Sequence, residues 1–287
     1  MQSVDFKNKL SYCKANELIE NSKQEKNTYA GKCLRYISSH LTKEDVFFPV
    51  MVFDVREFCV ICNLDPECRE NRRFIRATIL ELSDASKGGL MLKSPTGWST
   101  PIPWLKYAFC KNDGSHQIAV VLNSALEKYY LGLQKRFTQV DLATTLNLEK
   151  PNSVPIYEIM KMHAYRHSGV VAIEDLKERL NLEGKYARFS NFKSRVLDSA
   201  IDEINEKTDL KVSYQVKCNK RVPTDLVFSI QKSNNVIDNS ALNRLMKYKL
   251  SEKDVEKAKA EIAEIIRGPE GCTIEPMDGK EWGSEIN

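Results

Sequence analysis

The chain has no run of apolar residues approaching the roughly 20 that a membrane span requires. Its N-terminus carries lysines but no continuous apolar stretch resembling a signal peptide. A soluble, cytoplasmic protein without membrane partners is expected. No GxxxxGK[ST] loop is available to cradle nucleotide phosphates, so neither ATP-driven remodelling nor helicase activity is indicated. Histidine is scarce, with 4 residues. No two histidines flank a single apolar residue, the metal-binding arrangement that origin-nicking enzymes pair with a tyrosine nucleophile. His163 and His167 stand four apart, but Ala164, Tyr165 and Arg166 between them lack the glutamate of metalloprotease chemistry. The 8 cysteines form no framework: Cys59 and Cys62 have CxxC spacing with Cys68 nearby, yet no second pair follows at zinc-ribbon or zinc-finger spacing. Reduced cysteines, no metal, no cofactor and no catalytic residues are the expectation.

What is present is a helix-turn-helix pattern that occurs twice. The first copy runs from Val55 through Asn63, Leu64, Asp65 and Pro66 to Leu82; the second runs from Ile173 through Asn181, Leu182, Glu183 and Gly184 to Ala200. At a shift of 118 positions their apolar residues coincide: Val55 with Ile173, Phe58 with Leu176, Cys62 with Leu180, Leu64 with Leu182, Phe74 with Phe192 and Ile79 with Leu197. Surface residues between them differ, as in a duplicated fold whose surfaces have diverged. A length of 287 residues and 42% hydrophobic content suffice for two such domains, each with its own core.

The elements around each motif predict the same architecture twice. Residues 1–28 read as a polar arm with a short helical stretch ending at Asn16 to Ile19, followed by a helix over Tyr29 to Leu41 and a strand over Phe47 to Val52. Asp54 can cap the first helix of the motif, and Pro66 sits where a first helical turn tolerates it. Apolar runs at Leu90 to Leu92, Ile102 to Cys110 and Gln117 to Leu122, split by turn residues, predict two hairpins. A helical stretch from Ser124 to about Phe137, then Gln139 to Leu146, leads to Pro151. The second unit has a helix from Val154 to His167, a Gly169 stop, the motif, and strands at Leu210 to Val216 and Val222 to Ile230. The expected fold class is therefore α+β: two tandem winged-helix domains, 29–150 and 151–231, with a polar C-terminal extension, 232–287. That extension is expected to be partly helical, over Ser251 to Ile266, or disordered.

A net charge of +4 is too small to argue function from bulk charge, so the placement of cations decides. Arg69, Arg72, Arg73 and Arg76 fall at i, i+3, i+4 and i+7, which gathers four guanidinium groups on one helical face away from Ile75, Ile79 and Leu82. Such repulsion gains from an anionic partner, and DNA phosphates would supply one. The alternative is a solvated face neutralised by Glu67, Glu70 and Glu81. In the second motif Lys185 and Arg188 precede or open the long helix and Lys193 and Arg195 lie in its first turns, whereas Asp198, Asp202, Glu203 and Glu206 lie further along, an order that opposes the helix dipole. A helix inserting its N-terminal end into a major groove would need that order. With Phe189, Phe192, Val196, Ala200 and Ile204 as the buried stripe, Arg188, Asn191, Ser194 and Arg195 face outward, and Arg and Asn suit guanine and adenine edges. On the ideal wheel Lys193 lies nearer the buried side. Lys217, Lys220 and Arg221 surround the second hairpin tip, where wings often touch backbone.

At the second motif the sequence also resembles a known family. Tyr186 to Leu197 (YARFSNFKSRVL), Ala200 to Asn205 (AIDEIN) and Thr208 to Tyr214 (TDLKVSY) resemble the iteron-binding plasmid replication initiators of the RepB/RepE type, as do Ala15 to Ile19 (ANELI) and Ile156 to Met160 (IYEIM). The similarity covers roughly residues 10 to 231. The resemblance implies two winged-helix domains that bind iteron repeats in double-stranded origin DNA as monomers, the C-terminal one reading a major groove. It also implies dimers, joined through the N-terminal domain, that bind an inverted-repeat operator and repress the initiator's own gene. Host initiator and replicative helicase machinery would be the further partners. By matching positions, Arg188, Lys193, Ser194 and Arg195 would lie in the DNA-facing part of the second reading helix. Ser190, Asn191 and Ser194 stand where some relatives have basic residues, so base preference is not carried over. A dedicated repressor without an initiation role, an origin-nicking enzyme and a protein-interaction module are the competing readings.

Overall fold

The computed structural model describes residues 10–268 apart from 24, 26, 94, 95 and 112; the Gly- and Pro-punctuated stretch 269–287, with Cys272, and the first nine residues of the expected arm lie outside the described residues. The N-terminal unit comprises β1 (Ser11–Ala15), α1 (Asn16–Asn21), α2 (Thr28–Ser38), β2 (Met51–Asp54), α3 (Val55–Ile61), α4 (Arg69–Glu81), β3 (Leu90–Lys93), β4 (Ser99–Ile102), β5 (Leu105–Cys110), β6 (Gln117–Leu122), α5 (Glu127–Tyr130), β7 (Phe137–Asp141) and α6 (Leu142–Leu146). The second unit follows with α7 (Ser153–His163), β8 (Ser168–Ala172), α8 (Ile173–Arg179), α9 (Phe189–Phe192), α10 (Ser199–Lys207), β9 (Leu210–Asn219) and β10 (Val222–Lys232). Two more helices, α11 (Ser240–Leu245) and α12 (Glu252–Arg267), complete the described chain.

The duplication is visible in both sheets and both turns. One three-stranded sheet has the order β2-β6-β5 and the other β8-β10-β9, all antiparallel, so each of these two sheets places its first strand in sequence beside its third. The first helix of each motif ends in the same left-handed residue, Asn63 (φ 57°) and Asn181 (φ 55°). In each case the next two amides turn back onto the helix. Asn63 N–H donates to Val60 O (3.0 Å) and Leu64 N–H to Cys59 O (2.9 Å), while Asn181 donates to Glu178 O (3.0 Å) and Leu182 to Lys177 O (2.8 Å). These are paired Schellman closures, for which Asn is one of the few residues that tolerate the backbone. Asp54 caps α3 as expected, in a capping box with Glu57.

Four expectations are corrected. Part of the segment read as an arm belongs to the fold: β1 pairs with β7, and Tyr12, Leu18 and Ile19 are buried. The stretch read as helical up to about Phe137 contains only one short turn and α5, and Phe137–Asp141 is a strand with Thr138 and Val140 buried. Phe74, paired by sequence with the fully buried Phe192, is 43% exposed; Ile75 fills the core instead. Phe189 is only partly buried, and Leu197 and Ile201 join the stripe.

The last two corrections share a cause. In α4 the buried residues Ile75, Thr78, Ile79 and Leu82 follow α-helical spacing. In the second helix of the second motif the corresponding buried residues are Phe192, Val196, Leu197 and Ala200, one residue longer between the first two. The extra residue is absorbed by a π-helical turn, Lys193–Asp198, between α9 and α10. The helix continues through it, so one helix runs from Phe189 to Lys207.

The C-terminal extension is not a loose appendage over its described part. After β10 it crosses back to the N-terminal unit: Asn235 Nδ2 donates to the carbonyls of Asn205, Glu206 and Thr208 at the end of α10, and Asn147 Nδ2 donates to Asp238 O (3.0 Å). α11 then packs on α3 with Leu245 fully buried, and α12 packs on β2 and β6 through Ala258 and Ile262. α12 lies within a residue of the helix expected at its position, with Ser251 accepting from Asp254 N–H. The two units meet at a buried carboxylate: Glu158 on α7 accepts from Tyr12 OH (2.6 Å), Lys14 Nζ (3.0 Å) and Arg35 Nε (3.2 Å).

Candidate nucleic-acid interface

In the second unit the motif's second helix presents an open cationic end. Arg188 occupies the N-cap position with extended backbone and makes no side-chain cap, so the first amides of the helix face outward with the positive end of its dipole. Arg188, Asn191, Ser194 and Arg195 are all exposed, as is Lys185 in the preceding turn. Behind them Tyr186 and Phe189 both pack at a tilt against the fully buried Phe192, with ring centroids 6.1 and 6.4 Å from it, which anchors the helix start on the core. The wing is a two-residue turn: Lys220 (φ 47°) and Arg221 (φ 71°) are both left-handed, the geometry of a type I′ hairpin, for which Gly and Asn are the usual residues. Two cations in a costly conformation, with exposed Lys217 beside them, place charge at the wing tip where sterics alone would not.

Lys193 behaves differently from its neighbours. Its ammonium donates to both Asp198 oxygens (2.8 and 3.0 Å) and lies 5.7 Å from the centre of the Tyr214 ring on β9. Tyr214 OH also donates to Asp198 Oδ1 (2.5 Å). Burial raises the Asp198 carboxyl, but the hydrogen bonds from Lys193 and Tyr214 outweigh it and hold the group below the ordinary range. Burial, then Asp198, pushes the Tyr214 phenol up to about 12.

In the first unit the arginine stripe is split by its hydrogen bonds. Arg73 is exposed, as is Arg69, whereas Arg72 and Arg76 are partly buried. Arg72 Nη1 donates to Pro66 O (2.8 Å) and Arg76 Nη1 to Lys111 O (3.1 Å), tying α4 to the motif's turn and to the wing between β5 and β6. Their remaining N–H groups stay available, since a guanidinium has five donors. Two residues missed in the sequence join this face. Arg56, at the start of α3, pairs with Asp54 (2.7 Å) and lies 5.0 Å from the Tyr248 ring. His116, in the wing, is held below its ordinary pKa by burial and by Arg72, Arg56 and Arg76. Arg56 follows an N-cap Asp, a position that could have flagged it; His116 is brought in by the fold alone.

The C-terminal extension borders the same face. Tyr248 OH donates to Glu67 Oε1 (3.1 Å) in the motif's turn, and Glu261 on α12 pairs with Lys111 (2.8 Å) at the wing. Lys249 is its deepest anchor. The ammonium donates to Glu57 Oε2 (2.9 Å), Tyr36 OH (2.7 Å) and His40 Nε2 (2.9 Å), three donors on three acceptors around a carboxylate that is 1% exposed.

Cys59 and Cys62, the CxxC pair, are buried in the first unit beside Cys33. Burial pushes the Cys59 thiol up to about 12 and raises the Cys33 thiol well above its ordinary range, which keeps both protonated as they stand. Among the described residues no cluster of His, Cys, Asp or Glu could hold a metal, and no helix is long and apolar enough to cross a membrane.

Two family models match this arrangement. One, described as initiator replication protein, WH1, covers residues 11–161, and the other, initiator Rep protein, WH2, covers 172–230. The chain belongs to the initiator Rep protein family. Its two units are thus the tandem winged-helix domains WH1 and WH2. The chain is also similar to the PI protein of Escherichia coli, 27% identical over 125 residues, which is 38% of this chain and 40% of that protein. The match therefore spans about two fifths of the relative's length. WH1 as matched begins at β1 and includes most of α7, whereas α11 and α12 fall outside both models.

Proposed function

We propose that this initiator Rep protein is a bacterial, cytoplasmic plasmid replication initiator that acts by binding rather than by catalysis. It binds iteron repeats in double-stranded origin DNA, promotes opening of the origin and recruits host initiator and replicative helicase machinery. As a dimer it binds an inverted-repeat operator and represses its own gene. WH2 supplies base readout through Arg188, Asn191, Ser194 and Arg195, with Lys185 and the wing residues Lys217, Lys220 and Arg221 on phosphate. WH1 supplies phosphate contacts through Arg69, Arg72, Arg73 and Arg76, with Arg56 beside them.

The observation that carries this reading is the exposed, uncapped cationic start of the WH2 reading helix, set beside a basic wing in a chain of the initiator Rep family. The test is a footprint of purified protein on DNA flanking its own gene, repeated across salt concentrations. Protection of tandem direct repeats that weakens steeply with salt supports the initiator. Protection of an inverted repeat alone favours a dedicated repressor, and the absence of any protection refutes the reading.

A further inference from the structure

The Lys193, Asp198 and Tyr214 trio depends on the π turn. In an α-helix, residues five apart point roughly 140° away from each other around the axis. The wider π turn brings them towards one side, and it is across that turn that the Lys193 ammonium reaches the Asp198 carboxylate. Tyr214 then ties the same carboxylate to β9, the strand that leads to the wing. The turn also changes the phase of the helix: Phe192 before it, Val196 and Leu197 within it and Ala200 and Ile201 after it are all buried, while Ser194 and Arg195 stay exposed within it. An uninterrupted α-helix built on the downstream stripe would swing Arg188 and Asn191 around the axis relative to Arg195.

We infer that Asp198 is a specificity-determining positioning residue: it holds the π turn of the WH2 reading helix and keeps Lys193 against Tyr214, away from DNA phosphate. This rests on the proposed reading of WH2 as the base-reading domain. Direct readout gains when a reading helix carries few indiscriminate cations, because each cation on phosphate strengthens binding to every sequence alike. Asp198 removes one such cation from the reading surface and sets the angular relation of the side chains that remain.

The test uses the full chain with Asp198→Asn, which keeps the shape and can still accept from Tyr214 but cannot hold the ammonium by charge. Binding to the footprinted site and to random duplex is measured between 50 and 200 mM salt. The expected result is a salt slope for random duplex steeper by about 0.9, so the affinity change across that range grows about 3.5-fold. Random DNA should bind more tightly at low salt, with a smaller ratio of specific to random affinity. Adding Lys193→Ala to Asp198→Asn should return the random-duplex slope to the wild-type value, which shows that Lys193 carries the gain. An unchanged slope and ratio in Asp198→Asn overturns the inference. So does an equal loss of affinity for both DNAs, which is what a merely structural role would give. If the wild-type protein protects no DNA, the proposed function itself falls and takes the inference with it; if the wild type binds and only the variant result fails, the function stands.

Discussion

Replacing Lys249 with methionine tests whether the C-terminal extension is part of WH1. Glu57 is 1% exposed and Lys249 31% exposed on their side chains, so the pair sits at the edge of the core with its carboxylate inside. Removing one partner of a buried pair costs about 3 to 5 kcal/mol, because a desolvated charge is left behind, and the partial exposure of the lysine favours the lower end. Tyr36 OH (2.5 Å) and the Asp54 amide (2.9 Å) still donate to the carboxylate but bring no positive charge. A loss of about 3 kcal/mol lowers the melting temperature of a chain this size by about 6 to 12 °C. Adding Glu57→Gln removes the stranded charge while an amide oxygen still accepts from Asp54. The double variant should therefore recover to within about 1 kcal/mol of wild type. Melting by circular dichroism reads both outcomes. A single variant within 2 °C of wild type, or a double variant no better than the single, would refute the counter-ion argument.

Arg188→Ala or Arg195→Ala should each weaken specific binding by about 1 to 3 kcal/mol while changing random-duplex affinity less, and an unchanged ratio in both would remove them from base readout. Arg73→Ala should flatten the salt slope by about 0.9, whereas Arg72→Ala should also lower stability by about 1 kcal/mol through loss of its bond to Pro66 O; equal melting of the two variants would contradict that split. Burial opposes ionisation of Glu158, but Lys14, Arg35 and Tyr12 outweigh it and hold the carboxyl at about 2. Its stabilising contribution is thus complete above the usual glutamate range and lost as pH falls from about 4 towards 2. Melting should drop steeply between pH 4 and 2, and Glu158→Gln should blunt that drop. Burial and then Lys249 lower the His40 pKa to about 4, so stability should decline as pH falls from about 6.5 to 4, by at most about 3 kcal/mol; an NMR titration of His40 with a midpoint near 6.5 would contradict this.

The helix-turn-helix cores were legible because local and long-range signals coincide there. Asp54 caps, the asparagines take the left-handed closure, and the apolar residues before each turn match at one shift. The edges of WH1 were harder. Thr138 and Val140 do alternate with exposed neighbours along β7, but five residues of alternation compete poorly with adjacent helical stretches, and the partner β1 is more than a hundred residues away. The extension was illegible for a different reason: its described helices bury few apolar side chains, among them Leu245, Ala258 and Ile262, and much of its attachment runs through Tyr248, Lys249 and Glu261 to partners that only the fold brings near. No residue type announces the π turn. It shows as a one-residue slip between two apolar stripes, which the shift of 118 conceals because it matches at Leu197 and pairs Phe192 with the half-exposed Phe74 instead of Ile75.

The two reading surfaces differ in what their cations are tied to, and this sets their roles under the proposed function. In WH1, Arg72 and Arg76 bind backbone carbonyls of the turn and wing, and Tyr248 and Glu261 brace the same elements from outside. Cations held this way keep their position whatever sequence lies opposite, which suits contact with a regular phosphate backbone. In WH2 the one cation held by a carboxylate near the helix start is Lys193, among the exposed cations named on that surface, and Arg188 and Arg195 have room to adjust to base edges. Specificity should consequently respond to changes in WH2 and salt dependence to changes in both domains. A variant set in which Arg73→Ala altered base preference while Arg195→Ala altered only the salt slope would invert that assignment and exchange the roles of the two domains.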